Sequence, residues 1–193
     1  VYRNAKSFGG NPDGIYVSGH SSGGHLAGVV LVTDWLRDHD LPADVVKGGL
    51  CISGMFDLKP ARLSALSSYI KFTDEMEQAM SSLRHLDKLR APVIATYGTN
   101  ETPEFQRQNR DFVAAVKAAG KPAELIEAPS YDHFEMAESL GNPYGPNGRA
   151  VLSMMKCSSC SPCAFSSVID AIDLLPLRSL IVCTSLECIK SMV

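Results

Sequence analysis

Short apolar runs alternate with longer helical patterns over residues 1 to 156, the order expected of a mostly parallel sheet covered on both faces by helices. The turn cluster Asn11-Pro12-Asp13-Gly14 launches the run Ile15-Tyr16-Val17-Ser18, which reads as a strand. Gly19-His20-Ser21-Ser22-Gly23-Gly24 follows. A helix is then predicted from about His25 to Arg37, with Leu26, Val29, Val30 and Leu36 on one face and deep burial against the sheet. Lys47 to Ser53 reads as the next strand, Gly54 to Leu86 as a mixed region of short helices, and Pro92 to Tyr97 as a third strand ending at Gly98. Thr102 is the expected N-cap of a helix with Pro103 at its first position and Glu104 against its positive end. That helix runs through Phe112, Val113 and Val116 and stops at Gly120, with Pro122 preventing its return. Ala123 to Ala128 is a fourth strand, after which Ser130 to His133 leads into a short helical segment.

Composition narrows the partners. The 193 residues are 45% hydrophobic and 20% charged, with a net charge of −3, which suits a soluble globular domain. Without a run of lysines or arginines, no nucleic acid and no anionic membrane surface is an expected partner. The longest apolar stretches are interrupted by Asp34, Asp170, Asp173 and Arg178, short of the roughly 18 to 20 residues that span a bilayer. The chain opens at Val1 without a basic-then-apolar secretion signal, so the cytoplasm is the expected compartment and further sequence upstream is expected.

Gly19-His20-Ser21-Ser22-Gly23 matches G-x-S-x-G, and the pattern gains meaning from a strand before it and a helix after it. A sharp strand-to-helix turn holds such a serine with its hydroxyl above the sheet edge, and small residues at Gly19 and Gly23 let the neighbouring backbone pass. Ser21 is therefore the candidate nucleophile, and the Ser22 N–H, at the start of the helix, is the candidate oxyanion donor. An alcohol needs a base, and the base needs an orienting carboxylate. In α/β-hydrolases these follow the nucleophile in the order acid, then histidine, each after a strand. Glu101 follows the third strand and His133 the fourth, which makes them the candidate acid and base at the carboxyl ends where open α/β sheets place their sites. Asp57, after an earlier strand, competes with Glu101; Asp132 adjoins His133 and reads as a loop cap. Of the other histidines, His20 is a candidate pocket residue, His25 is expected to pack on a neighbouring loop, and His39 and His85 read as surface positions.

Three separated segments carry a family resemblance. Tyr16 to Ala27 around the Ser21 turn, Gly98 to Gln108 (GTNETPEFQRQ), and Asp132-His133-Phe134-Glu135 together resemble the kynurenine formamidase (arylformamidase)-like and carboxylesterase branch of the α/β-hydrolases. The resemblance covers about residues 1 to 156 and implies a partial α/β-hydrolase fold, the C-terminal portion of a larger enzyme whose N-terminal strands are missing. It implies hydrolysis of an aryl formamide or short acyl ester through an acyl-enzyme, with no metal or organic cofactor. Ser21, Glu101 and His133 fall on the nucleophile, acid and base, with Glu where the family commonly has Asp. Two features depart from it. Such enzymes usually carry a His-Gly-Gly-type oxyanion loop and several strands before the nucleophile, which the residues preceding Ser21 do not supply, and the strand before Ser21 would then stand as an exposed edge. The expected partner is a small acyl or formyl substrate, with a homodimer as a candidate assembly; a non-catalytic fragment completed by a partner segment is the competing reading.

The second departure is the tail. Residues 157 to 193 hold five of the six cysteines and only five charged residues, so a boundary is placed at 156 and the extension is treated as separate. Cys157, Cys160 and Cys163 have C-x2-C-x2-C spacing, and Cys183 or Cys188 could complete a zinc or iron–sulfur site. Ser-rich spacers and the absence of histidine favour the plainer reading of an unrelated extension, such as a frameshift or read-through product, with one apolar helix around Val168 to Leu175.

Overall fold

The β-branched and small residues of the predicted strands pair side by side in the computed structural model, which describes residues 1–68, 70–155 and, as backbone, 180–184. After a 3-10 segment over Tyr2–Phe8 come β1 (Ile15–His20), α1 (Ser22–Leu31), α2 (Trp35–His39) and β2 (Val46–Ile52). The stretch to the next strand holds α3 (Lys59–Arg62), α4 (Asp74–Met80) and further 3-10 turns. Then follow β3 (Val93–Gly98), α5 (Pro103–Ala118), β4 (Ala123–Ala128), α6 (His133–Glu138) and α7 (Pro146–Met154). The last described segment is β5 (Leu180–Thr184). The strands lie in the order β4-β3-β2-β1-β5, and every pairing is parallel.

Because side chains alternate along a strand, each central strand feeds two cores. Cys51 of β2 and Val93 and Ala95 of β3 join Ala27 and Leu31 of α1 and Phe112, Val113 and Val116 of α5 on one face. Leu50 and Ile52 of β2 and Ile94 of β3 join Met136 of α6 and Ala150 and Val151 of α7 on the other. Both faces of the sheet are thus covered, which requires the near-continuous apolar strands seen in the sequence. The carboxyl ends of β1, β2, β3 and β4 all open on one edge.

Two expectations change. The helix predicted over His25 to Arg37 is two helices. Asp34 leaves the helical conformation (φ −81°, ψ 81°), and its carboxylate accepts the Arg37 N–H at 3.1 Å, so the chain caps and restarts there. Leu36 is 60% exposed as a result, and Leu26, Val29 and Val30 are only half-buried. The buried stripe of α1 is instead made of Gly24, Ala27, Gly28 and Leu31. Small residues win this face because α1 lies directly on β2: a Cβ on Gly24 would stand 2.6 Å from the Ile52 carbonyl oxygen. Secondly, β5 pairs in parallel with β1, Ile15 opposite Leu180 through Gly19 opposite Thr184, so the edge of β1 expected to stand open is occupied. Thr102 is the N-cap of α5 with Pro103 as its first residue, as expected, though the Thr102 side chain makes no capping hydrogen bond. The far end of α5 closes as expected, with Gly120 left-handed and the Lys121 N–H donating to the Val116 carbonyl at 3.1 Å. The apolar helix expected over 168–175 and the cysteine cluster at 157, 160 and 163, with Cys188, lie outside the described residues, as does the side chain of Cys183. No helix among the described residues is long and apolar enough to cross a membrane.

Candidate active site

Ser21 stands between β1 and α1 with φ 57° and ψ −116°, a left-handed conformation that a residue with a Cβ adopts only under constraint. The constraint is visible on both sides. The Ser21 N–H donates to the Ile52 carbonyl at 2.9 Å, and its own carbonyl accepts the His25 N–H at 3.0 Å. The turn is so tight that a Cβ on Gly19 would lie 2.1 Å from the Gly23 carbonyl oxygen, which gives the physical reason for glycine there. Ser22 is the first residue of α1, whose first-turn N–H groups lack intrahelical partners and gather at the positive end of the helix.

His133 is brought to Ser21 by the loop after β4. Asp132 caps α6: its carboxylate accepts the Phe134 and Glu135 N–H groups, and Glu135 reaches back to the Asp132 N–H. This capping box fixes the first turn, on which His133 is the first residue. Its Nε2 lies 2.9 Å from the Ser21 hydroxyl, a hydrogen bond that the hydroxyl donates when Nε2 is unprotonated.

Glu101 approaches His133 from the other side, in the turn after β3. Its Oε2 is 3.4 Å from Nδ1 of His133, an ion-pair distance rather than a well-aligned hydrogen bond. Both atoms are buried without another hydrogen-bond partner among the described residues, so each has only the other to satisfy it. Loose catalytic hydrogen bonds are common before substrate arrives. The two turns are laced together: the Thr99 N–H donates to the Ala128 carbonyl at 3.0 Å, the Asn100 N–H to the Tyr131 carbonyl at 3.0 Å, and the Ser130 N–H to the Thr99 hydroxyl at 2.8 Å. Burial pushes the Glu101 carboxyl up, but the His133 imidazole, the Ser53 hydroxyl and the Gly98 N–H outweigh it, and the group is held below its ordinary value.

The competing acid is elsewhere. Asp57 pairs with Arg84 at 3.1 Å, and Gln108 accepts the Phe56 and Asp57 N–H groups, which holds that loop away from His133. Asp132 is a cap, as its position suggested. His25 bonds the Met80 carbonyl at 2.9 Å, and burial lowers its pKa. His39 is exposed, and the half-buried His85 bonds the Gln78 carbonyl at 2.8 Å.

Three neighbours complete the arrangement; His20 was expected to line the pocket, whereas Phe105 and Ser53 were not singled out from the sequence as parts of it. The His20 ring packs 4.5 Å from the His133 ring, and the Phe105 ring 4.4 Å from it. Burial, then the charge on His133, lowers the His20 pKa. The third is Ser53, whose hydroxyl donates to Glu101 Oε1 at 2.5 Å. Ser53 and Phe105 meet the site only through the fold; the signal for Ser53 was its place between a strand end and Gly54. No group of three His, Cys, Asp or Glu side chains among the described residues could hold a metal ion.

No family model matches the chain. Kynurenine formamidase of Danio rerio is 32% identical over 132 residues, which is 66% of this chain and 44% of that protein. Isoprenylcysteine alpha-carbonyl methylesterase of Arabidopsis thaliana is 25% identical over 157 residues, 70% of this chain and 37% of that one. Among solved structures, a thermophilic esterase of Thermogutta terrifontis superposes with a TM-score of 0.55 at 23% identity, covering 81% of this chain and 58% of its own. The chain therefore spans less than half the length of these curated relatives.

Proposed function

Because the chain is an α/β-hydrolase of the formamidase/esterase branch, we propose that it is a serine hydrolase that cleaves an aryl formamide or a short acyl ester through an acyl-enzyme. The observation that carries this reading is the 2.9 Å contact between the Ser21 hydroxyl and His133 Nε2, made by a serine held at positive φ. Nε2 takes the hydroxyl proton as Ser21 Oγ attacks the formyl or acyl carbonyl carbon. The negative charge that develops on the carbonyl oxygen falls to the Ser22 N–H at the head of α1. Glu101 accepts from Nδ1–H, keeps the tautomer that leaves Nε2 free, and stabilises the imidazolium once it forms. The imidazolium then protonates the departing amine or alcohol. Water, deprotonated by the same nitrogen, releases the acid and restores Ser21.

An aromatic leaving group suits the surroundings of the base. Phe105 packs on His133, and Phe134, 77% exposed, meets its ring edge-on at 5.8 Å between centroids. The methylesterase relative favours the second reading, a carboxylesterase acting on alkyl esters. Steady-state turnover of N-formylkynurenine against p-nitrophenyl acetate separates the two. The formamidase reading expects the higher kcat/KM on the formamide, with Ser21→Ala lowering it by about a thousandfold or more. Equal turnover by wild type and Ser21→Ala on both substrates would contradict either form of the reading and leave a non-catalytic fragment.

A further inference from the structure

We propose that Ser53 is the positioning residue of the acid: its hydroxyl holds Oε1 of Glu101, so that Oε2 alone is left to address Nδ1 of His133. This inference rests on the serine-hydrolase reading above. Four observations converge on it. Ser53 is fully buried at the carboxyl end of β2, and its φ of 50° places it, like Ser21, in the left-handed region. Strain of this kind persists only where the surroundings impose it, and it gathers at functional sites. The surroundings do impose it: the Ser53 N–H donates to the Thr96 carbonyl at 2.7 Å, which locks the residue onto β3 beyond the last strand pair. From that position the hydroxyl reaches Oε1 at 2.5 Å, and the Gly98 N–H reaches the same oxygen at 3.1 Å.

The two donors divide the work of the carboxylate. Oε1 carries both, whereas Oε2 has no hydrogen-bond partner among the described residues and lies 3.4 Å from Nδ1. A glutamate has one more rotatable bond than an aspartate, so its carboxylate plane is less determined by its backbone. A fixed donor on one oxygen supplies the missing restraint. The charged and titratable neighbours of this carboxylate are His133 on α6 and His20 at the end of β1, with Ser53 and Gly98 as its uncharged donors. The same strand end also serves the nucleophile, because the Ile52 carbonyl accepts the Ser21 N–H. One strand terminus thus sets both the serine and the acid, and two residues at left-handed φ stand side by side to do it.

Ser53→Ala removes the hydroxyl and keeps the strained backbone; Ser53→Gly removes the hydroxyl and relieves the strain. The test follows the Glu101 carboxyl carbon and the His133 Nδ1–H proton by NMR in the full chain, alongside kcat, KM and thermal midpoint. In both variants the Glu101 titration is expected to move up and the Nδ1–H signal to weaken through exchange with water. The kcat should fall about tenfold to a hundredfold, by analogy with the loss of outer partners that orient metal-bound histidines, with KM nearly unchanged. In a Glu101→Gln background, Ser53→Gly should change kcat no further. Ser53→Gly should melt above Ser53→Ala yet be no more active; should the alanine variant not fold, the glycine variant carries the same readouts. An unmoved Glu101 titration and Nδ1–H signal in Ser53→Gly, or activity that recovers along with the melting temperature, overturns the proposal. Failure of the underlying reading looks different: turnover that does not depend on Ser21, whatever the NMR signals of Glu101 and His133 do.

Discussion

Asp57 and Glu101 are both carboxylates that follow a strand, and their partners separate them. Asp57 faces the Arg84 guanidinium, whereas Glu101 is buried against His133 and Ser53. Asp57→Asn is accordingly expected to change kcat by less than about twofold and to cost no more than about 1 kcal/mol, since its ion pair is partly exposed. Glu101→Gln should keep the fold and lower kcat by about a thousandfold to ten-thousandfold, because an amide in that place favours the wrong imidazole tautomer. Comparing kcat and urea midpoints of the two variants checks both statements. The residues of the arrangement were legible in unequal degree. Ser21, Glu101 and His133 follow three strands in order, a one-dimensional signal. The role of Ser53 depends on strand β2 lying beside β3, and no spacing along the chain encodes that contact.

At the scale of elements, short local devices place the site. The capping box of α6 sets the turn that carries His133, so Asp132→Ala should lose about 1 kcal/mol of stability and also lower kcat by loosening the base. A cap with no link to chemistry would cost only the stability, which calorimetry and kinetics together would reveal. The approach of α1 to β2 gives a second case. Gly24→Ala forces a Cβ against the Ile52 carbonyl and should cost about 1 to 3 kcal/mol, read as a lower denaturant midpoint. The strands β1 to β4 were legible within a residue or two: the central β2 and β3 are largely buried and apolar, as strands covered on both faces are, and β4 at the sheet edge stands between Pro122 and Pro129. The single long helix was not, since Trp35 and Leu36 continue the apolar run of α1 and the break depends on one aspartate, Asp34, capping the second helix. The small-residue face of α1 was missed for a related reason: hydrophobic periodicity points to Leu26, Val29 and Val30, while close packing on a strand selects glycine and alanine.

Across the whole molecule, acid pH acts on several groups in one direction. The pKa values of His20 and His25 are lowered chiefly by burial, and that of Glu101 is lowered by its donors against burial. A folded state with depressed values binds fewer protons than the unfolded chain, so these groups contribute stability above their unfolded values. That contribution is lost as pH falls through the folded ones. Stability is therefore expected to begin falling as pH drops below the ordinary histidine value of 6.5 and to fall further below the ordinary glutamate value of 4.5. Urea titrations between neutral and acid pH measure this, and His25→Gln should flatten the first part of the slope; a midpoint independent of pH would contradict it. The serine-hydrolase reading of Ser21, His133 and Glu101 at one edge of a parallel sheet rests on the reactivity of a single hydroxyl. Its most direct test is labelling with a fluorophosphonate, with the modified residue located by peptide mass spectrometry. One probe per chain is expected on Ser21, with labelling slowed strongly in His133→Ala; an unlabelled Ser21 in the folded chain, with turnover undiminished in Ser21→Ala, would rule out Ser21 as the nucleophile.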